Sequence, residues 1–258
     1  MRSPGVLLIV PILLVSLACG TSRTPVAPSV APLETLSLKL ETPHVRVMAD
    51  RAAAATLRQI ADALESDYPR IAADLGGTDL RVTTVSVWTD AESFYRNMEA
   101  TIGRRFEGAT GYVSGPADLR ILDGPRASSR AVHEMVHCVT LRVNATIANN
   151  PRWLWETVAT YETRELVDPR DLPYKRSGSY PTIAQLDADF DSGRQVYEVG
   201  YVLGDFIATR WGSDAIVRLV QANGDIERVL GIAVGDFERR WYAFLEEKYL
   251  APRGTVGS

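Results

Sequence analysis

The spacing of apolar residues divides the chain into a mixed N-terminal half and a helical C-terminal half. Apolar residues recur at helical spacing from Leu57 to Leu75, where Gly76 ends the run, and a shorter helix is predicted over residues 91–102. From Ser128 onward nearly every stretch has helical spacing. Alternating or Val/Thr-rich stretches predict strands at residues 44–48, 81–88, 109–113 and 119–122. The expected fold class is therefore α+β, with a small mixed sheet and helices followed by a mainly helical half.

The N-terminus has the pattern of an export signal. The apolar run over residues 6–17 is shorter than the roughly 20 residues that span a membrane, and it is typical of a signal peptide covering residues 1–18. Residues 16–20 resemble a bacterial lipobox, which implies cleavage before Cys19 and lipid on that cysteine. Prolines within residues 19–36 indicate an extended tether. We expect an exported lipoprotein of the bacterial cell envelope, in the outer membrane or on the periplasmic face of a membrane. A soluble secreted protein and an uncleaved anchor are the alternatives.

Composition excludes several classes of protein. A chain of 258 residues with 46% hydrophobic and 23% charged residues is too apolar for a disordered protein. Two cysteines exclude a disulfide scaffold, and a net charge of -4 argues against a nucleic-acid binder. The folded domain is predicted over residues 37–252, with a short tail at 253–258. If Cys19 carries lipid, Cys138 has no intrachain partner and is expected to be a small core residue.

Two of the three histidines lie in one motif, His133-Glu134-Met135-Val136-His137. The four-residue spacing is about one helical turn, so both imidazoles share a helix face and can bind one metal ion. A catalytic zinc site needs three protein ligands and one open position. Eighteen residues separate His137 from Glu156, which a second helix beginning near Pro151 could bring to the histidine pair. The alternative is an ordinary helix whose histidines bind nothing.

This spacing resembles that of the gluzincin metallopeptidases, in which two histidines on one helix and a glutamate on the next bind zinc. The peptidase MA-like and aminopeptidase-type gluzincins have a Trp-Leu-x-Glu-Gly-x-Ala-x-Tyr run. It is matched here at Trp153, Leu154, Glu156, Ala159 and Tyr161. Their Tyr-Glu-Lys-Gly run, whose tyrosine stabilises an oxyanion, resembles Tyr197-Glu198-Val199-Gly200.

The resemblance covers residues 128–212 and implies a zincin-like fold that holds Zn²⁺. It implies that the metal ligands are His133, His137 and Glu156. It also implies Glu134 as the general base toward a zinc-activated water and Tyr197 as the oxyanion donor. Tyr201, one turn further along the helix, is a competing candidate for the oxyanion donor.

Several positions depart from the family pattern. Thr157 replaces the glycine after the third ligand, where a β-branched residue could crowd the substrate cleft. The usual acidic residue after the tyrosine of the run is absent, since Thr163 takes its place and Glu162 is shifted. We expect Glu162 to be a solvated charge, and support of a metal ligand is the alternative. The Gly-x-Met-Glu-Asn run that grips a substrate's free amine is missing, which favours endopeptidase over aminopeptidase activity.

The sequence therefore predicts a zinc metallopeptidase that cleaves a peptide or protein substrate docked along an edge strand near residues 111–113. A catalytically inactive zincin-fold binding module and a zinc hydrolase of a non-peptide amide are the alternatives. The sequence indicates no oligomeric state.

One segment resembles a calcium-binding loop in the spacing of its acidic residues. It lacks the glycine needed at the sixth position of such a loop, so we do not expect it to bind calcium. It comprises Asp187, Asp189, Asp191 and Glu198.

Overall fold

A computed structural model describes residues 34–77, 79–148, 150–174, 178–188 and 195–251. The predicted signal peptide, Cys19, most of the tether and the tail lie outside these residues. Within the predicted tether, the Glu34 carboxylate accepts a hydrogen bond from the Thr89 backbone N–H at 3.0 Å. The chain therefore already contacts the domain at Glu34. Among the described residues, no helix combines the length and apolar character required to cross a membrane.

The strands of the described residues form one mixed sheet, in the order β1-β2-β3-β5-β4. β2, β3 and β5 are parallel, whereas β1 and β4 run antiparallel to their neighbours and form the two edges. The bounds are β1 (Ser37–Glu41), β2 (Val45–Ala49), β3 (Thr83–Trp88), β4 (Gly111–Gly115) and β5 (Asp118–Leu122). The expected mixed sheet is confirmed. The sequence analysis missed β1, although residues 36–41 alternate between Leu and polar residues.

Helices dominate the chain after β5, which confirms the expected α+β class. In chain order they are α1 (Ala54–Asp74), α2 (Ala91–Ile102), α3 (Ala127–Val143), α4 (Arg152–Glu162), a 3-10 turn (Pro169–Asp171), α5 (Ile183–Ala188), α6 (Gln195–Trp211), α7 (Asp214–Gln221), α8 (Ile226–Leu230), α9 (Val234–Leu245) and a π turn (Glu246–Leu250). The predicted end of α1 is confirmed, because Gly76 adopts φ +74°, a conformation that glycine accommodates readily.

The alternation of side chains along the strands gives the sheet two apolar faces. Val85 and Val87 of β3 point to the face on which α1 and α3 pack, and they join the main core. Trp88 points to the other face, where it packs with α2 in a smaller cluster. The remaining members of that cluster are Phe94, Tyr95, Met98 and Tyr112. α3 thus lies against the sheet, between α1 and the C-terminal helices.

α6 packs closely against α4 because two glycines of α6 face it. A Cβ on Gly200 would lie 2.4 Å from Thr160 Oγ1, and a Cβ on Gly204 would lie 2.6 Å from Tyr161 Cβ. Real Cβ atoms do not approach other atoms so closely. This close approach brings the first turn of α6, which carries Tyr197, to the beginning of α4.

Candidate metal centre

The centre of α3 is buried on all sides. Residues 131–140 are buried without interruption, and this stretch contains His133, Glu134 and His137. α3 is covered by α1, by β4 and β5, and by α4. Ionisable side chains in such a place destabilise a fold unless they are paired or bind a ligand. Their burial therefore indicates a functional centre.

α4 brings the third predicted ligand to the histidine pair. Asp187 caps this helix, since its Oδ1 accepts a hydrogen bond from the Trp153 N–H at 3.0 Å. Glu156 follows in the next turn and is buried. Its Oε2 lies 3.3 Å from His133 Nε2 and 3.6 Å from His137 Nε2. The structure thus brings together the three residues that the sequence analysis selected.

The donor set and its spacing fit a tetrahedral zinc ion. One nitrogen of each histidine and one oxygen of Glu156 all lie within 4.8 Å of one another. Zn–N and Zn–O bonds of about 2.0–2.1 Å at tetrahedral angles place ligand atoms about 3.3–3.5 Å apart. The distances of 3.3 and 3.6 Å from Glu156 Oε2 to the histidine nitrogens are close to this value.

The buried ligands compensate one another's charge. Burial would raise the pKa of Glu156, but hydrogen bonds with His133 and His137 hold that pKa well below its usual range. Burial would lower the pKa of His133, but the carboxylates of Glu156 and Glu165 outweigh it and raise the pKa to about 10. Without metal the site is therefore an ion pair. A metal ion that binds His133 must displace its proton.

One side chain lies behind each histidine ring, although neither Nδ1 atom makes a hydrogen bond with the described residues. Glu165 Oε2 lies 3.6 Å from His133 Nδ1, which leaves Nε2 facing Glu156. The Trp155 ring stacks on His137 at 4.1 Å with an interplanar angle of 1°. Sequence reasoning missed Glu165, because it looked for an acidic residue at Thr163. Glu165 follows the end of α4, where helical spacing no longer predicts which residues share a face.

Tyr197 contacts the third ligand, whereas Tyr201 does not lie at the centre. The Tyr197 O–H donates to Glu156 Oε1 at 3.0 Å. Tyr201 packs instead against the Tyr161 ring at 5.7 Å. Arg152, a residue that sequence reasoning missed, lies with Nη1 3.8 Å from Glu156 Oε1 and Nη2 3.4 Å from the Tyr197 oxygen. It lies one turn before Glu156, and that i,i+4 spacing was the available signal.

Glu134 lies between the ligands and the free edge of the sheet. Its side chain is 5% exposed, and burial raises the pKa of its carboxyl group. A Cβ on Gly111 of β4 would lie 2.5 Å from Glu134 Oε1, so a larger residue there would displace the Glu134 side chain. Sequence reasoning placed residues 111–113 at the substrate edge but did not identify this close approach to Gly111.

Two expectations about the departures from the family pattern are wrong. Thr157 is fully buried against α6, with its Cα 3.3 Å from the position of a Gly200 Cβ, so it does not project into a cleft. Glu162 is buried and not solvated, because Arg70 of α1 pairs with it at 3.0 Å. Desolvation raises the pKa of Glu162 to about 7.

The remaining candidates have structural roles. Asp187 caps α4, and Glu198 accepts a hydrogen bond from the Tyr174 hydroxyl. The other two acidic residues of the segment that resembles a calcium-binding loop, Asp189 and Asp191, lie outside the described residues. Cys138 is buried as expected. Its Sγ donates to the Gly115 carbonyl at 3.5 Å, and burial raises the thiol pKa to about 12.

Sequence comparisons matched this chain to no protein family and to no curated protein. The chemistry of the centre is therefore assigned from its own geometry.

Proposed function

We propose that this protein is a zinc-dependent metallopeptidase that acts as an endopeptidase. The observation that carries the proposal is the convergence of His133, His137 and Glu156 at ligand spacing, with the unligated Glu134 beside them. A purely structural zinc site has no need for such a carboxylate, whereas hydrolysis needs a base within reach of a water molecule. A zinc ion held by these residues would supply a Lewis acid that polarises a carbonyl group and acidifies water.

The side chains around the ligands have distinct roles in this proposal. Glu134 makes no hydrogen bond with the described residues, so its carboxylate is available to take a proton from water and pass it to the leaving amine. Tyr197 keeps its proton, because burial and the nearby Glu156 raise the pKa of its hydroxyl. This hydroxyl turns from Glu156 Oε1 to the carbonyl oxygen that becomes negatively charged during attack.

The free edge of β4 offers hydrogen-bonding groups to a peptide. The Leu122 N–H donates to the Thr110 carbonyl at 2.9 Å, which makes these two residues a hydrogen-bonded pair. Hydrogen-bonded and non-hydrogen-bonded pairs alternate along an antiparallel ladder. Tyr112 and Arg120 of β5 therefore form the next hydrogen-bonded pair. The N–H and C=O groups of Gly111 and Val113 therefore point away from β5. A substrate backbone can pair with them by strand addition, directly beside Glu134.

We further propose that the protein is exported and anchored to a bacterial cell envelope by lipid on Cys19. The lipobox-like residues 16–20 and the Pro-containing tether support this proposal. Mass spectrometry of the protein isolated from membranes tests it. Diacylglyceryl on Cys19 at the new N-terminus is expected, and a mature chain that begins after Cys19 would contradict it.

Zinc content is the first test of the peptidase proposal. We expect about one zinc per chain in the purified protein after equilibration with the metal. A Glu156→Ala variant should lose or strongly weaken binding, because only two ligands remain. Glu134→Gln is the matched control at a buried glutamate that binds no metal in this proposal. It should keep its zinc but lose cleavage of a peptide pool.

The possible outcomes separate the parts of the proposal. No zinc in the parent protein would remove the catalytic proposal. Equal zinc in the parent and in Glu156→Ala would mean that Glu156 is the wrong third ligand. Normal cleavage by Glu134→Gln would refute its role as the base. Zinc binding without cleavage of peptides, but with cleavage of peptidoglycan fragments, would redirect the proposal to a non-peptide amide.

A further inference from the structure

Arg130 is a half-buried cation beside the proposed catalytic base, and its side chain makes no hydrogen bond or ion pair with the described residues. It lies one turn before Glu134 on the same face of α3. Its Cγ and Cδ atoms lie 2.8 and 2.9 Å from the position of a Gly111 Cβ, and Glu134 Oε1 lies 2.5 Å from the same point. The aliphatic stem of Arg130 therefore packs beneath the backbone of β4. Because the guanidinium is bonded to this stem at Cδ, its charged end lies near Gly111, where a substrate would pair.

The other half-buried arginines differ from Arg130. Each lies within 3.8 Å of a carboxylate or carbonyl oxygen. They are Arg70, Arg120, Arg142, Arg152 and Arg170. Among the half-buried arginines of the described residues, only Arg130 has a side chain without a hydrogen bond or ion pair. A guanidinium partly removed from water without a partner is unfavourable, which indicates that a ligand supplies the partner.

The position of Arg130 defines which part of a substrate it meets. A peptide paired with Gly111 has its backbone beside Glu134, so the residues next to its scissile bond pass Arg130. The planar guanidinium fork matches a carboxylate, to which it can donate two parallel hydrogen bonds. Glu134 and Glu165 attract Arg130 electrostatically, but neither carboxylate forms a hydrogen bond or an ion pair with its guanidinium.

We infer that Arg130 binds a carboxylate of the substrate, so that this site prefers peptides with a carboxylate next to the scissile bond. This inference rests on the proposed peptidase function and names its substrate class. In an endopeptidase substrate this carboxylate belongs to an Asp or Glu side chain. Arg130 acts as a specificity residue and takes no part in the proton transfers assigned to Glu134.

The test compares peptides that differ only in carboxylates. One fluorogenic pool contains Asp and Glu, a second contains their Asn and Gln isosteres, and each is made with a free or an amidated C-terminus. Wild type should cleave the carboxylate pool with a kcat/KM roughly 10- to 100-fold higher, as expected for a charge-assisted pair. Arg130→Ala should reduce that ratio to about one, mainly through KM, and Arg130→Lys should restore part of it. Arg126→Ala removes an exposed arginine that immediately precedes α3, and it should leave the ratio unchanged.

A binding measurement keeps this inference separate from the proposed function. Anisotropy titrations of the zinc-treated Glu134→Gln variant with the same pools report recognition without turnover. Tighter binding of the carboxylate pool that disappears with Arg130→Ala would support the inference even if wild type cleaves nothing. Equal cleavage or binding of the two pools, or a preference that survives Arg130→Ala, would overturn the inference and leave the peptidase proposal standing. Failure to bind or cleave any pool would overturn both. A preference that disappears when the C-terminus is amidated would assign the carboxylate to the C-terminus and overturn the assignment to an Asp or Glu side chain.

Discussion

Substitution of Gly200 by alanine tests whether the close contact between α4 and α6 sets the geometry of the centre. The added Cβ would lie 2.4 Å from Thr160 Oγ1 and 3.3 Å from Thr157 Cα. Ordinary contacts begin at 3.4 Å, so the two helices must separate by about 1 Å or the Thr160 side chain must move. Such overpacking destabilises a core by roughly 1–3 kcal/mol.

The same substitution has an opposing effect through helix propensity. Alanine in a helix interior is favoured over glycine by about 0.5–1 kcal/mol. We therefore expect a net loss of about 1–2 kcal/mol in the free energy of unfolding, measured by urea denaturation. Gly235→Ala is the matched control, because a Cβ there meets only Arg239 Nη1 at 3.7 Å. This exposed position in the first turn of α9 should instead gain a few tenths of a kcal/mol.

The consequence for the centre is also measurable. A shift of about 1 Å would extend the 3.0 Å hydrogen bond between Tyr197 and Glu156 beyond the usual range. In a Thr160→Ala background the main clash is absent. Gly200→Ala should therefore lower the free energy of unfolding by about 1 kcal/mol less than it does in the parent protein. A Gly200→Ala variant as stable as its parent, or an unchanged loss in the Thr160→Ala background, would refute the packing argument.

Three further changes probe the site and its surroundings. Tyr197→Phe should keep zinc and lower kcat about 10²- to 10³-fold, whereas a fall in zinc affinity would assign Tyr197 to holding Glu156. Glu165→Gln should weaken zinc binding about 10- to 100-fold in a chelator competition, because His133 Nδ1 loses its carboxylate, and unchanged affinity would contradict that role. Burial raises the pKa of Glu162 to about 7, so its contribution to stability is complete below pH 4.5 and is lost as pH rises toward 7. Between pH 4.5 and 7 the free energy of unfolding of wild type should fall by about 2–4 kcal/mol relative to that of Glu162→Gln. Parallel pH profiles of the two proteins in urea denaturation would refute the raised pKa of Glu162.

The sequence predicted elements whose signal is local. The helical spacing from Leu57 to Leu75 and the glycine after it locate α1 to within a few residues. The motif from His133 to His137 has its meaning within one helical turn, so its shared face could be predicted without the rest of the fold. Glu156 required a likeness to a known family, because nothing local to α4 distinguishes a ligand from any other buried glutamate.

The missed residues depend on tertiary contacts between distant segments. Glu162 has the local pattern of a solvated charge, and only its approach to Arg70, 92 residues earlier in the chain, reveals the buried pair. Gly111 looks like an ordinary turn or strand glycine until α3 places Glu134 beneath it. Glu165 follows the end of α4, where the chain direction changes and no periodicity applies. Each of these contacts joins segments that are distant in the sequence, and the pattern of apolar residues does not predict which distant segments meet.

The two oxygens of Glu156 divide the centre into a ligand side and a substrate side. Oε2 faces the two histidine nitrogens, whereas Oε1 accepts the Tyr197 hydroxyl and lies 3.8 Å from Arg152. Because Oε1 already has partners, the carboxylate is held with a single oxygen toward the metal position. A glutamine at this position would keep one oxygen but remove the charge that Arg152 and the histidines compensate. We therefore expect the charge of Glu156 to serve metal binding through Oε2, whereas Oε1 orients the Tyr197 hydroxyl and contributes little to zinc affinity.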